Sequence, residues 1–388
     1  MNKIKFSLNP FLKYSIFNKN INCNSEAFDF HTSMLEYKNT PLISLQNLAE
    51  KIGLKNIFIK DESNRFKLNS FKVLGASFAI YKFIKEKWEN KFKSPFNHDS
   101  FKDFNKIKKL GSITLATATD GNHGHAVAWT AKILKIKAVV FVPNNTVIER
   151  IEDIKNEGAK VIISEGNYDF TVKLAAAQAE KNNWDIISDT AYENYEKIPN
   201  FIMQGYETIF KEINEYNKLQ NFNFIFIQTG VGGLACAAVN SLMKFAKKKR
   251  PKLICIEPIN ADCMLESIQN INGEICTTKG NLNSIMAGLN CGIPSKLAWP
   301  KIKKNFTLFL AIEDSYAINA MNTFFYPNKN DQKIISCESG AAGLGGLLAI
   351  CKNEKLKLLK NKLNLCKESN ILLINTEGNT DKKRFKNN

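Results

Sequence analysis

Metal-binding clusters and long apolar runs are both absent from this sequence. Its 388 residues include four histidines, and its nine cysteines form no CxxC pair and no cysteine–histidine spacing typical of a metal site. No stretch reaches the ~18 apolar residues of a membrane span, and the N-terminal segment lacks the apolar core of a secretory signal. We therefore predict a cytoplasmic protein without a bound metal or a membrane partner. Whether Cys263 and Cys291 form a disulfide stays open, because spacing alone does not decide it.

Acidic residues are also few: the chain has 37 Asp and Glu compared with 54 Lys and Arg, which gives a net charge of +17. A basic chain raises the hypothesis of nucleic-acid binding. The lysines, however, are spread over almost every segment instead of forming a stripe. We predict no nucleic-acid partner, and the 44% apolar content is ample for a globular enzyme.

Short β-rich runs alternate with helical patterns along much of the chain. Helices are predicted at about 147–157 and 169–181, and residues 86–109 show no clear period and are predicted to be a helix end and an exposed loop. The predicted strands are 138–142, 160–164, 185–188, 222–228, 253–257 and 371–375. This alternation is typical of βαβ units, so we predict an α/β fold with parallel sheets.

A glycine-rich segment, Gly230-Val231-Gly232-Gly233-Leu234, follows one predicted strand and opens a helix. Backbone N–H groups in such a turn bind anions at the positive end of the helix dipole. The segment matches neither the dinucleotide-binding nor the Walker pattern. It serves either as a phosphate cradle or as a tight turn for close packing.

Two further segments contain candidate chemical groups. Lys72 lies between Phe71 and Val73, where a desolvated ammonium would become a nucleophilic amine, although a surface lysine is the common alternative. In the second segment, Asn122 and His123 lie between two glycines in a polar loop. We interpret His123 as a packing residue in preference to a catalytic base.

In this order, the lysine, the asparagine loop and the glycine turn resemble the fold-type II family of pyridoxal-phosphate enzymes. The resemblance implies two three-layer domains with parallel sheets and the cofactor in the cleft between them. Residues 1–80 and 190–388 would form the large domain and 81–189 the small one. It also implies a homodimer and a small amino-acid substrate. In that family the lysine forms a Schiff base with pyridoxal phosphate, the asparagine contacts the 3-hydroxyl, and the turn binds the phosphate. The resemblance therefore assigns these three roles to Lys72, Asn122 and Gly230–Leu234, in that order.

A narrower resemblance, to the diaminopropionate ammonia-lyases, runs from about residue 37 to 381. It rests on segments that include Lys60-Asp-Glu-Ser63, Asp120-Gly-Asn-His-Gly124, Met203-Gln-Gly-Tyr206, Ile285-Met-Ala-Gly-Leu289 and Glu338-Ser-Gly-Ala341. The implied reaction is elimination of ammonia from 2,3-diaminopropionate, through aminoacrylate, to pyruvate and a second ammonia.

The same resemblance assigns roles to four more residues. Asp120 would take a proton on the face opposite Lys72 or bind the distal ammonium, and Asp189 would be a second acidic partner. Thr376 would contact the pyridine nitrogen, with Glu338 as an alternative neighbour of the ring. The isomer preference stays open.

Some positions depart from the family pattern, and other functions compete. His125 stands where arginine is usual, which puts an anion contact in doubt, and Lys67 replaces a glycine. A serine or threonine dehydratase is the first alternative, but simple dehydratases have serine at the position of Asp120. A protein that binds pyridoxal phosphate without turnover is a weaker alternative, since Lys72, Asp120 and Asp189 are all present.

Overall fold

A computed structural model describes residues 3–14, 26–119, 121–166, 168–191, 194–246 and 249–380. These residues form eleven strands: β1 Ile4–Leu8, β2 Leu42–Ser44, β3 Asn56–Asp61, β4 Thr114–Ala118, β5 Lys137–Val142, β6 Lys160–Ile163, β7 Asp185–Ile186, β8 Phe224–Gln228, β9 Lys252–Pro258, β10 Phe306–Ile312 and β11 Asn370–Asn375. The α-helices among them are α1 Glu26–Thr32, α2 Gln46–Lys51, α3 Lys72–Phe92, α4 His98–Lys102, α5 Phe104–Lys109, α6 Asn122–Leu134, α7 Ile148–Asn156, α8 Tyr168–Asn182, α9 Lys197–Tyr216, α10 Gly233–Phe245, α11 Cys263–Gln269, α12 Trp299–Asn305, α13 Asp314–Phe325, α14 Glu338–Lys352 and α15 Lys357–Leu363. The predicted strands and the two predicted helices are confirmed to within a few residues at each end.

The chain divides into two compact units. The first contains the described residues among 1–25, 39–64 and 209–379, and the second those among 26–38, 65–208 and 380–388. The helix α9 begins in the second unit and ends in the first. Each unit is built on one sheet, as the predicted α/β class requires.

The first unit contains a seven-stranded sheet in the order β1-β10-β9-β8-β11-β3-β2. Its five inner strands run parallel to their neighbours, and β1 and β2 add antiparallel edges. Phe224 and Phe226 share a core with α2, α13, α14 and α15, while Ile225 and Ile227 are buried on the other face. Burial on both faces explains why these strands are continuous apolar runs.

The second unit contains a four-stranded parallel sheet in the order β6-β5-β4-β7. Val139 and Phe141 form a core with Ala175 of α8. Gly124 of α6 approaches Val140, whose side chain points to the opposite face. Helices therefore cover both sides of this sheet, which is the three-layer arrangement expected for the fold.

The predicted helix end within residues 86–109 is confirmed, but the predicted exposed loop is wrong. The helix α3 continues to Phe92, and α4 and α5 follow in place of an exposed loop. Phe96 and Phe101 are buried, and Phe101 packs edge-on against Phe30 and Tyr81 with ring centroids 5.2 and 5.7 Å apart. Short helices show too few turns for a period to be visible, so the burial of the aromatic rings here depends on α1 and α3.

Within the described ranges, no helix is long and apolar enough to cross a membrane, and no group of His, Cys, Asp or Glu residues is arranged to hold a metal ion. No disulfide joins Cys263 and Cys291.

Candidate active site

Lys72 and Asp189 meet directly in the second unit, although 117 positions separate them. Lys72 is the first residue of α3, and its backbone N–H donates to the Ser70 hydroxyl at 3.3 Å. Its Nζ donates to Asp189 Oδ2 at 2.6 Å, with side-chain exposures of 19% for the lysine and 12% for the aspartate. The predicted amine is thus held at the start of a helix and paired with one of the two predicted acids.

The surroundings of Asp189 keep its carboxylate ionised. Burial by itself raises the pKa of Asp189, but the charge of Lys72, the charge of His123 and the hydrogen bond from Lys72 together lower it from 3.8 to about 2. At neutral pH the Asp189 side chain is an anion, so it acts as a hydrogen-bond acceptor and a partner for cations.

His123 holds the segment after β7 in place. Its Nε2 lies 2.8 Å from the carbonyl oxygen of Ile187, two residues before Asp189. A carbonyl only accepts hydrogen bonds, so Nε2 carries the hydrogen. The Thr119 hydroxyl accepts the N–H groups of Gly121 and Gly124 at 2.9 and 3.1 Å, and Asn122 opens α6 between them. His123 therefore orients the loop that carries Asp189, a role that its sequence pattern did not reveal.

Tyr206 of α9 is a neighbour of this pair to which the sequence analysis assigns no role. Its ring packs on Phe71, with centroids 4.7 Å apart, and its hydroxyl is buried without a hydrogen-bond partner among the described residues. Burial raises the pKa of Tyr206, while Lys72 lowers it and Asp189 raises it. The phenol is therefore neutral and close to both charged groups.

The glycine turn connects β8 to α10 in the first unit. Gly232 has a left-handed φ of 105°, and a Cβ at this position would lie 2.7 Å from the Ile302 side chain. A Cβ at Gly230 would lie 2.9 Å from Cys291 Sγ. Without side chains at the cap, the first N–H groups of the 13-residue helix α10 are left for an external acceptor. Close packing and anion binding, the two alternatives from the sequence, are both supported by this geometry.

Thr376 and Glu338 lie near the same edge of the large sheet. Thr376 follows β11, which pairs with β8, and Glu338 is the first residue of α14; both side chains are buried. Gln228, the last residue of β8, connects these elements: its Nε2 lies 2.8 Å from Ile374 O, 3.1 Å from Gly340 O and 3.2 Å from Thr376 Oγ1. Sequence reasoning missed Gln228, whose only signal is a polar residue at the end of an apolar strand, directly before the glycines.

The remaining predicted positions, Asp120, His125 and Lys67, add little to the description of the site. Asp120 lies outside the described residues. His125 contacts Glu157, with Nε2 and Oε1 3.4 Å apart, and Lys67 is exposed and pairs with Glu36 at 3.7 Å. Both departures from the family pattern therefore have partners of their own within the second unit.

A family model described as pyridoxal-phosphate dependent enzyme matches residues 34–376. Among curated proteins, the chain is 39% identical over 363 residues to the diaminopropionate ammonia-lyase of Escherichia coli strain K12, covering 93% of this chain and 89% of that protein. It is 38% identical over 370 residues to the enzyme of the same name from Salmonella typhimurium, covering 93% of this chain and 90% of that protein.

The comparison with solved structures agrees with these sequence matches. The structure resembles that of diaminopropionate ammonia lyase from Escherichia coli in complex with an aminoacrylate–pyridoxal phosphate azomethine intermediate. The TM-score is 0.89 at 36% identity, with 100% of this chain and 96% of that chain covered.

Proposed function

The chain belongs to the pyridoxal-phosphate-dependent enzymes and, within them, to the diaminopropionate ammonia-lyases, and on that premise we propose that Lys72 and Asp189 carry out its chemistry. The protein is a carbon–nitrogen lyase whose cofactor is pyridoxal phosphate. It converts 2,3-diaminopropionate and one water into pyruvate and two ammonia. The observation that carries the residue assignment is the 2.6 Å contact between Lys72 Nζ and Asp189.

The described residues fit this cofactor. Its aldehyde needs an amine, its phosphate needs N–H donors, and its ring nitrogen needs a hydrogen-bond partner. Lys72 supplies the amine, and the turn from Gly230 to Leu234 begins a helix whose first N–H groups have no side-chain cap. Thr376 supplies a buried hydroxyl, with Glu338 as an alternative neighbour of the ring, and Asn122 supplies an amide for the 3-hydroxyl.

Lys72 has two tasks in the proposed mechanism. When bound, pyridoxal phosphate draws electrons away from the substrate Cα. Lys72 would hold the cofactor through Nζ, and when Nζ is free it would act as the general base that removes the Cα proton. Lys72 Nζ lies 5.8 Å from the centre of the Phe71 ring, and Tyr206 packs against that ring.

Asp189 binds the substrate cation in the proposed mechanism. The Asp189 carboxylate has the Lys72 ammonium as its partner in the cofactor-free protein, and the distal ammonium of a diamine would replace that cation once Lys72 holds the cofactor. This distinguishes a diamine from serine, whose hydroxyl carries no charge. We extend the proposal to Asp120 as the base for the opposite isomer, supported by its place in Asp120-Gly-Asn-His-Gly124.

The substrate proposal is tested by comparing pyruvate release from 2,3-diaminopropionate and from serine. We expect the diamine to be preferred in kcat/KM, and Asp189→Asn to lose most of that preference. A wide preference for serine in the unmodified protein would contradict the proposed role of Asp189 and favour a dehydratase.

The anchor is tested by the visible absorption band of lysine-bound pyridoxal phosphate. Lys72→Ala should lack this band and the elimination activity. Lys67→Ala is the matched control, because the Lys67 side chain is 77% exposed and its ion pair is with the surface residue Glu36. An unchanged band in Lys72→Ala would mean that another amine holds the cofactor.

We also propose a cytoplasmic homodimer. The homodimer is supported by the family resemblance, and the reducing compartment by the absence of disulfides among the described cysteines. Light scattering after size-exclusion chromatography measures the oligomeric state, and a monomeric mass for the active enzyme would contradict the proposal.

A further inference from the structure

Gln228 is a buried polar residue in a strand that is otherwise apolar. The four preceding residues of β8 are Phe, Ile, Phe and Ile, whereas Gln228 closes the strand with 3% exposure. Its Oε1 is buried and has no hydrogen-bond partner among the described residues. Burying an amide oxygen in this way costs stability, so any stabilising contribution of this amide comes from its nitrogen.

The orientation of the Gln228 amide follows from its neighbours. Nε2 lies 2.8 Å from the carbonyl oxygen of Ile374 and 3.1 Å from that of Gly340. Carbonyl oxygens only accept hydrogen bonds, so they must face the amide nitrogen and its two hydrogens. A flipped amide would place three oxygens against one another, which excludes the alternative assignment.

This orientation determines which way the Thr376 hydroxyl can point. Thr376 Oγ1 lies 3.2 Å from Gln228 Nε2. The nitrogen of an amide donates hydrogen bonds and does not accept them, so the Thr376 hydroxyl cannot donate to Gln228. The threonine oxygen faces the amide, and its hydrogen is left to point to another acceptor.

We propose that Gln228 is a positioning residue that makes Thr376 a hydrogen-bond donor to the pyridine nitrogen of the cofactor. The proposal rests on the proposed function, which assigns Thr376 to that nitrogen. A hydroxyl that donates pairs with an unprotonated nitrogen, whereas a protonated nitrogen would require the hydroxyl to accept. Gln228 thus holds the ring nitrogen in its neutral form through Thr376, without contacting the cofactor.

The test is the ¹⁵N resonance of pyridoxal phosphate labelled at the ring nitrogen and bound to the full-length enzyme. The unmodified protein should show the resonance of an unprotonated nitrogen. Gln228→Met has a similar length and no donor, so the Thr376 hydroxyl becomes free to turn, and the resonance should move upfield toward the protonated position. Thr376→Ser keeps a hydroxyl and should keep the original resonance.

Two further variants separate positioning from a structural role. In a Thr376→Val background no hydroxyl remains for Gln228 to orient, so adding Gln228→Met should cause no further shift. An equal additional shift in that background would overturn the proposal. So would an unchanged resonance in Gln228→Met.

If Gln228→Met fails to fold, the ¹⁵N resonance of the unmodified enzyme still tests the proposal. A protonated ring nitrogen in the unmodified enzyme would overturn it. Failure of the proposed function gives a different result. In that case the visible band of lysine-bound cofactor would be absent or would persist in Lys72→Ala, whatever the state of the ring nitrogen.

Discussion

Replacing Asp189 by asparagine removes the charge that faces Lys72 and keeps the shape of the side chain. In the folded protein the pKa of Asp189 is about 2, compared with an ordinary value of 3.8. A difference of almost two units corresponds to about 2.5 kcal/mol, since each unit is worth about 1.4 kcal/mol. We therefore expect Asp189→Asn to lower the free energy of unfolding of the cofactor-free protein by about 2 kcal/mol at neutral pH.

The pH dependence of this deficit has a definite sign. The folded pKa of Asp189 is depressed, so its ionised form stabilises the protein fully above the unfolded value of 3.8, and the contribution is lost as the pH falls through about 2. The difference between the two proteins should be constant from pH 5 to 7 and fall to roughly half at pH 3.

Urea unfolding measured by circular dichroism at several pH values provides the assay. Asp185→Asn is the matched control, because Asp185 lies on the same segment and its 3.0 Å contact with Lys87 is more exposed, at 25% and 40%. That change should cost less than about 1 kcal/mol. Equal deficits for the two variants, or a deficit for Asp189→Asn that does not shrink at pH 3, would refute the ion pair as the source of the stabilisation.

Three other expectations follow from local geometry. Gly232→Ala places a side chain at a φ of 105° and should weaken the binding of pyridoxal phosphate at least tenfold in a titration. Gly158→Ala is the control, because Gly158 has a φ of 85° with open space around it. This change should cost about 1 kcal/mol of stability and leave the affinity for pyridoxal phosphate unchanged. Lys60→Met leaves the fully buried Glu212 without its cation and should cost about 3–5 kcal/mol in urea unfolding, most of which the double variant with Glu212→Leu should recover. Phe101→Ala removes the buried ring of α4 that packs against Phe30 and Tyr81, and it should cost about 3–5 kcal/mol. A loss below about 1 kcal/mol would mean that this segment is an exposed loop.

Much of the fold was predictable because it depends on local patterns. The strand of residues 138–142 and the helix of residues 169–181 came from short apolar runs and periodicity, and β5 and α8 correspond to them. The segment of residues 93–109 was not predictable in the same way, because its two helices are short and owe their burial to α1 and α3. The predicted domain bounds and the roles of the individual site residues stay predictions.

The amino-acid sequence is enough to establish the class of fold and the family. It also predicts Lys72 as the anchoring lysine, because the order of the Lys72, Asn122 and Gly230 segments distinguishes this lysine from the other basic residues. Which groups surround Lys72 can be seen only in the folded structure. Asp189 reaches Lys72 across 117 positions, and Gln228 reaches Thr376 across 148. The physical reason is that parallel strands are joined by helical crossovers, which bring the ends of distant strands to one edge of a sheet. The contacts made there depend on the pairing of strands, and the periodicity of any single segment does not encode that pairing.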